Sequence, residues 1–126
     1  MLIVVTIQLR DGSMNREDCL KAYELMTIGM IEKDPDKLRE SMSKDACLIH
    51  MTGKAETREE YIKDILDETL NYYDYEIISF SETDATIKLL AKVYGGAKSW
   101  WTLHMLTEYI IEDNKVKVKE CKVRMT

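Results

Sequence analysis

The chain has 126 residues, of which 45% are hydrophobic and 33% are charged. This composition excludes a disordered chain or a fibre, and the length suits one globular domain with a core of its own. Its 18 basic and 23 acidic residues give a net charge of −5, which argues against nucleic acid as a partner because phosphate binding needs a concentrated basic surface.

Three cysteines, Cys19, Cys47 and Cys121, occur without a CxxC pair. This odd number suggests neither a disulfide framework nor a zinc knuckle, so we expect a reducing cytoplasm. The apolar run over residues 1–7 lacks a basic start and meets Gln8, Arg10 and Asp11 too soon to span a bilayer, so residues 1–13 are not expected to form a membrane segment. We interpret them as an N-terminal extension that forms an extra strand, although Met14 would also make a sensible start codon.

Three helices are predicted in the first half of the chain. Ser13 or Asn15 caps the first, over residues 16–33, whose apolar positions follow the helical period and predict extensive burial. Asp34-Pro35 starts a short second helix, with the proline at its first position. The series Thr57-Arg58-Glu59-Glu60 is a capping box and opens the third helix.

The remaining segments are predicted to be strands. Residues 46–52 form a strand that Gly53 ends, between the second and third helices. After residue 71, helical periodicity disappears and turn signals separate segments rich in β-branched and aromatic residues. These segments are residues 72–80, 85–94, 99–111 and 116–125.

Strict alternation assigns two faces to the strand over residues 99–111. The inward-facing residues are Trp101, Leu103, Met105, Thr107 and Tyr109. The outward-facing residues include Trp100, His104, Leu106 and Ile110. In the last strand the apolar residues change from one face to the other near Lys119-Glu120, which predicts a β-bulge that curves the sheet. The predicted fold class is therefore α+β, with three N-terminal helices gathered on one face of a bent antiparallel sheet.

Two short sequence segments resemble those of a known family. They are Asp45-Ala46-Cys47-Leu48-Ile49-His50-Met51-Thr52-Gly53, followed by the capping box, and Val93-Tyr94-Gly95-Gly96, followed by Trp101 and Leu103. With the order of elements, they make residues 14–126 resemble a single domain of the nuclear transport factor 2-like superfamily, particularly its SnoaL-like and ketosteroid-isomerase-like members. The resemblance implies a cone, in which the curved sheet wraps the three helices around an apolar pocket, and a homodimer formed through the outer sheet face.

His50 is the main candidate for chemistry, because the resemblance places it where isomerase-like members hold their general base. A neutral imidazole suits proton abstraction next to a carbonyl, or activation of water. The isomerase pattern also needs two proton donors, and here Met26 and either Thr107 or Leu106 stand at those positions, which argues against steroid isomerisation. The alternative is a structural His50 that hydrogen-bonds a backbone carbonyl or Tyr61.

The predicted ligand-binding residues share the inside of the cone. They are Met26, Met30, His50, Tyr61, Trp101, Leu103, Met105, Thr107 and Tyr109. The indole N–H of Trp101 could hold a ligand oxygen, and plain core packing is the alternative for these side chains. Because large apolar groups are costly to leave wet, we expect Trp100, His104, Leu106 and Ile110 to form a dimer interface. No metal-ligand spacing is present, and no cofactor is expected.

Three functions follow as hypotheses, because this fold hosts both enzymes and binding domains. The first is a small-molecule-binding domain whose apolar pocket is anchored by His50. The second is a lyase, isomerase or cyclase that uses His50 as general base and needs a second polar group to receive the developing charge. The third is a dimeric association module with a vestigial pocket, which a collapsed interior would favour.

Overall fold

The computed structural model describes residues 15–93 and 96–125, so the predicted strand over residues 1–13 lies outside the described residues. Three helices and six strands follow one another along the described chain. They are α1 (Arg16–Glu32), α2 (Pro35–Ser41), β1 (Met42–Ile49), β2 (Ala55–Thr57), α3 (Arg58–Leu66), β3 (Leu70–Phe80), β4 (Asp84–Val93), β5 (Ser99–Glu112) and β6 (Lys115–Met125). This is an α+β fold, as predicted.

The predicted capping residues begin all three helices. Asn15, rather than Ser13, caps α1, and its Oδ1 accepts a hydrogen bond from the backbone N–H of Asp18 at 2.8 Å. The carboxylate of Asp34 accepts from two backbone N–H groups at the start of α2. At α3 the capping box is complete, because Thr57 and Glu60 each bond the other's backbone N–H.

The six strands form one curved, unclosed sheet in the order β2-β1-β6-β5-β4-β3. Every neighbouring pair is antiparallel except β1 and β6, which run parallel. This pair departs from the wholly antiparallel sheet that the sequence predicted. The long connection between the two strands, which holds α3 and the other four strands, allows the parallel pairing that a short hairpin forbids.

The predicted bulge lies in β6. Glu108 of β5 pairs with Glu120, whereas the next residue, Tyr109, pairs with Val118. Lys119 is therefore the extra residue, at the position where the apolar phase of the sequence slips. A bulge bends its strand and increases the local twist, so this residue contributes to the concave shape of the sheet.

The core lies between the concave face of the sheet and the helices. Tyr23 and Met26 of α1, Ile65 of α3 and Ile87 of β4 are almost completely buried. The predicted inward face of β5 is confirmed, since Leu103, Met105 and Thr107 are buried and Trp101 and Tyr109 pack against the same core. Among the described residues, no helix is long and apolar enough to cross a membrane.

Candidate functional site

A cavity of about 510 Å³ lies between the concave sheet face and helices α1 and α3. Its walls are mostly apolar and come from α1, β1, β4, β5 and β6. They include Met26, Met30, Leu48, Leu89, Ala91, Trp101, Leu103, Met105, Cys121 and Val123. The polar lining comes from the loop after β1, from α3 and from the residue before β3, and includes His50, Thr52, Lys54, Asp64 and Thr69. The volume is within the range of small-molecule sites in proteins.

Seven of the nine residues predicted to bind a ligand line this cavity. They are Met26, Met30, His50, Tyr61, Trp101, Leu103 and Met105. Thr107 and Tyr109 do not, because they lie further along β5, where the core is filled. The hydroxyl of Thr107 donates to Cys121 Sγ at 3.8 Å. Burial, with Cys19 and Cys121 nearby, raises the pKa of the Tyr109 hydroxyl.

Trp101 contributes an apolar wall rather than a hydrogen-bond donor. Its ring lines the cavity, but Nε1 is shielded from solvent and has no hydrogen-bond partner within residues 15–93 and 96–125. A ligand oxygen in the cavity therefore does not reach the indole N–H in this side-chain conformation. This differs from the expectation that the N–H holds a ligand oxygen, because sequence parity orients a side chain but does not determine the rotation of its ring.

His50 lies immediately after β1, in a tight loop that folds β2 back onto β1. The strand begins and ends earlier than the predicted residues 46–52, at Met42 and Ile49. The His50 N–H donates to the carbonyl of Lys54 at 2.9 Å, and the Gly53 N–H donates to the carbonyl of His50 at 2.8 Å. Gly53 has a φ of 90°, which suits glycine.

The fold-back brings Glu56 to the imidazole of His50. Glu56 of β2 pairs with Leu48 of β1, two residues before the histidine, so the two side chains are diagonal neighbours on one face. Glu56 Oε1 is hydrogen-bonded to His50 Nε2, although Glu56 is only 5% exposed. Glu56 Oε2 also lies 3.9 Å from Nζ of Lys54. A buried carboxylate needs such partners to offset its lost hydration.

Asp64 of α3 completes the cluster by hydrogen-bonding the same carboxyl group. Burial alone would raise the pKa of Glu56, but the hydrogen bonds from Asp64 and His50 outweigh burial and lower it. The hydrogen bond to Glu56, together with desolvation, raises the pKa of Asp64 to about 6. Two carboxyl groups hydrogen-bond to each other only when one of them keeps a proton, so below about pH 6 Asp64 is the member of the pair that holds it.

These contacts show which residue hydrogen-bonds the imidazole of His50. The structural alternative expected a backbone carbonyl or Tyr61, but the imidazole is bonded to Glu56, and the ring of Tyr61 lies 6.2 Å away at 46°. When Nε2–H donates to the Glu56 carboxylate, the neutral ring keeps a lone pair on Nδ1. Nδ1 has no hydrogen-bond partner in the described part of the chain, so it is available to a ligand.

Sequence reasoning missed Glu56 and Asp64. Both stand close to the capping box, where acidic residues usually face solvent and stabilise the start of a helix. The signal that could have found Glu56 is the turn at Gly53. A hairpin centred on Thr52, one residue before that glycine, places residues 48, 50, 54 and 56 on one face, and so makes the histidine and the glutamate neighbours.

The four residues predicted to form an interface share the convex outer face of the sheet. Trp100 is 51% exposed, and Nζ of Lys88 lies 5.7 Å from the centre of its ring. Leu106 and Ile110 are half-buried on the same face. His104 is also half-buried, and its Nε2 is hydrogen-bonded to Asp84 Oδ1. No group of three or more His, Cys, Asp or Glu side chains is arranged to hold a metal ion within residues 15–93 and 96–125.

No family model and no curated protein matches this chain, whereas many solved structures do. An NTF2-like protein from Cytophaga hutchinsonii is 19% identical, with a TM-score of 0.66 over 90% of this chain and 100% of that one. An LEH-like epoxide hydrolase from M. tuberculosis is 7% identical, with a TM-score of 0.70 over 90% and 83%. A hexachlorocyclohexane dehydrochlorinase, LinA-type3 from Novosphingobium barchaimii, is 13% identical, with a TM-score of 0.65 over 87% and 85%. At these identities the likeness establishes the fold.

Proposed function

We propose that this chain, which has the nuclear transport factor 2-like fold, binds a small apolar compound with a carbonyl or hydroxyl oxygen in its cavity. One observation carries the proposal. The imidazole of His50, held by the buried carboxylate of Glu56, borders an otherwise largely apolar cavity of about 510 Å³. Apolar walls with a few convergent polar groups are typical of small-molecule sites.

The distribution of polar groups defines the orientation of such a ligand. The apolar body of the ligand fits against the walls, where unbranched side chains such as Met26, Met30 and Met105 adjust to its shape. Its oxygen belongs at the polar end, where His50 and Asp64 lie. An oxygen placed at the apolar end would lose its hydration without a compensating hydrogen bond.

A thermal-shift screen of small apolar ketones, aldehydes, alcohols and phenols tests this proposal, because selective binding raises the melting temperature of the folded state. The screen compares wild type with His50→Ala. His104→Ala is a matched control, since His104 also pairs with a carboxylate but lies on the outer face. We expect hits whose stabilisation is lost in His50→Ala and kept in His104→Ala. Equal stabilisation of all three proteins would contradict the anchor role of His50.

An enzyme that uses His50 as general base is the second candidate, and the hydrogen bond to Glu56 favours it. This bond fixes the ring and its tautomer, which leaves Nδ1 to accept a proton. Among the similar solved structures are an epoxide hydrolase and a dehydrochlorinase, two enzymes of different chemistry, so an isomerase, lyase or cyclase is compatible with the fold. If the candidate is right, Glu56→Gln reduces turnover of a screening hit more than it reduces binding. Equal losses would leave only binding.

We also propose that two copies of the chain associate through the outer sheet face around Trp100. The side chain is about half exposed, with the half-buried Leu106 and Ile110 on the same face. Trp100→Glu should then convert a dimer to a monomer at micromolar concentration in analytical ultracentrifugation, and a persistent dimer would place the interface elsewhere. The open cavity argues against an association module with a vestigial pocket. A reducing compartment such as the cytoplasm suits the three free cysteines.

A further inference from the structure

Two titratable side chains of the cavity are joined through a third that is buried behind them. His50 and Asp64 both line the cavity, and both are hydrogen-bonded to the carboxyl group of Glu56. They come from different elements, the loop after β1 and helix α3. Glu56 therefore fixes two side chains at the polar end of one cavity, each from a different side.

We propose that Asp64 is the proton donor of this site and acts with His50 as an acid and base pair on an apolar carbonyl compound. The inference rests on the cavity being the ligand site proposed above. It supplies the second polar group that catalysis by His50 needs and that the positions of Met26, Thr107 and Leu106 do not provide. Glu56 is a positioning residue, because it contacts both catalytic groups and is itself buried.

The two groups have opposite tasks because Glu56 interacts with them differently. Its carboxylate accepts the Nε2–H of the imidazole, which leaves Nδ1 of His50 as a base. Its contact with Asp64 raises the pKa of that carboxyl to about 6, so Asp64 keeps its proton below that pH. The other charged groups that act on Asp64 are Asp67, which raises its pKa further, and Lys54, which lowers it. A group that accepts a proton beside one that donates a proton is the arrangement that acid and base catalysis requires.

The step that follows balances in protons and electrons. Nδ1 of His50 takes a proton from the carbon next to the carbonyl, and the electron pair of that C–H bond forms a C=C bond. The π electrons of the carbonyl move to its oxygen, which takes the proton from Asp64. The products are an enol, an imidazolium at His50 and a carboxylate at Asp64. The reverse step restores the ketone, with a solvent-derived hydrogen on carbon after the imidazolium has exchanged with water.

Exchange of the α-hydrogens of 2-tetralone, a bicyclic apolar ketone, for deuterium in D₂O tests the pair by proton NMR. The proteins compared are wild type, His50→Ala, Asp64→Asn and Asp67→Asn. Asparagine keeps a hydrogen-bond donor but cannot transfer a proton, and Asp67 is an exposed carboxylate of the same region that does not line the cavity. Binding of 2-tetralone to each protein is measured separately, by changes in the ligand's own NMR spectrum.

We expect wild type to accelerate exchange at a rate that falls as pH rises through about 6 and Asp64 ionises, and Asp67→Asn to behave alike except that its rate falls at a slightly lower pH, because the charge of Asp67 raises the pKa of Asp64. Asp64→Asn should lower the rate by about 10²-fold, within the range for general acid catalysis, and should lack this pH dependence. Wild-type exchange at the same rate and pH profile in Asp64→Asn would overturn the acid role. Binding of 2-tetralone without accelerated exchange would overturn the pair and leave the binding function standing, whereas no binding would contradict both.

Discussion

Replacing Asp64 with asparagine should change the stability of the fold by an amount that depends on pH. An acid whose pKa is raised by folding binds its proton more tightly in the folded state. Its stabilising contribution is therefore fully present below the unfolded pKa, near 3.8, and is lost as the pH rises through about 6. Asparagine cannot ionise beside Glu56, so Asp64→Asn avoids this loss at neutral pH.

The magnitude follows from the difference between the two pKa values. At about 1.4 kcal/mol for each pH unit, a rise from 3.8 to about 6 sets an upper limit of about 3 kcal/mol. Asp64 is partly exposed, and solvent screening reduces this limit to about 1–1.5 kcal/mol. Roughly two thirds of this pH-dependent contribution is lost between pH 4.5 and 7.5. The free energy of unfolding of Asp64→Asn should therefore rise by about 1 kcal/mol relative to that of wild type over that interval.

Urea unfolding at pH 4.5 and 7.5, followed by tryptophan fluorescence, measures this difference. Asp67→Asn is the control. Hydrogen bonds from Thr69 lower the pKa of Asp67, so the effect of this substitution on stability has the opposite sign. The Asp67 contribution is present above its unfolded pKa, so Asp67→Asn should lose stability relative to wild type at pH 7.5. If the difference in free energy of unfolding between Asp64→Asn and wild type is the same at both pH values, the proton held between Asp64 and Glu56 is refuted.

Four further substitutions test the packing and one helix cap by urea unfolding. Ile65→Ala should lower the free energy of unfolding by about 2–4 kcal/mol because the side chain is fully buried. Leu66→Ala, at a position 48% exposed, should lower it by less than about 0.5 kcal/mol. Equal losses would contradict the orientation of α3. Thr57→Ala should cost about 1 kcal/mol by breaking the capping box, and an unchanged stability would contradict it. Gly29→Ala should destabilise α1 despite the better helix propensity of alanine, because its Cβ would lie 3.0 Å from Cγ of the buried Leu38; a stabilised protein would show that Leu38 can move.

Local chemistry explains the parts of the fold that could be predicted from the sequence. The capping box at Thr57, the proline that begins α2 and the apolar phase slip at Lys119 each act within a few residues, so a single sequence reveals them. The alternation along β5 likewise identified its inner face, because a strand has only two faces. These signals were sufficient for the α+β class and for half of the apolar cavity walls.

The missed features depend on long-range pairing or on short segments without periodicity. Strand β2 has three residues, too few for an alternating pattern, and its pairing with β1 is what buries Glu56. The parallel pair of β1 and β6 joins distant parts of the chain. From the sequence alone, Asp64 is expected to be a solvated residue of α3. Only the position of Glu56 shows that Asp64 belongs to the cavity. The acidic half of the site was therefore hidden, whereas His50 was not.

The most direct test of the central claim, that the cavity binds an apolar carbonyl compound, is an NMR titration with 2-tetralone of the protein labelled with ¹³C at its methionine methyl groups. Met26, Met30, Met51 and Met105 line the cavity, although Met51 is 45% exposed to solvent. Met42 is buried outside the cavity, and Met125 is exposed at the end of β6. We predict that the methyl signals of Met26, Met30 and Met105 shift in a saturable way while those of Met42 and Met125 do not. Shifts confined to Met125, or no saturable shift at Met26, Met30 and Met105, would contradict the claim.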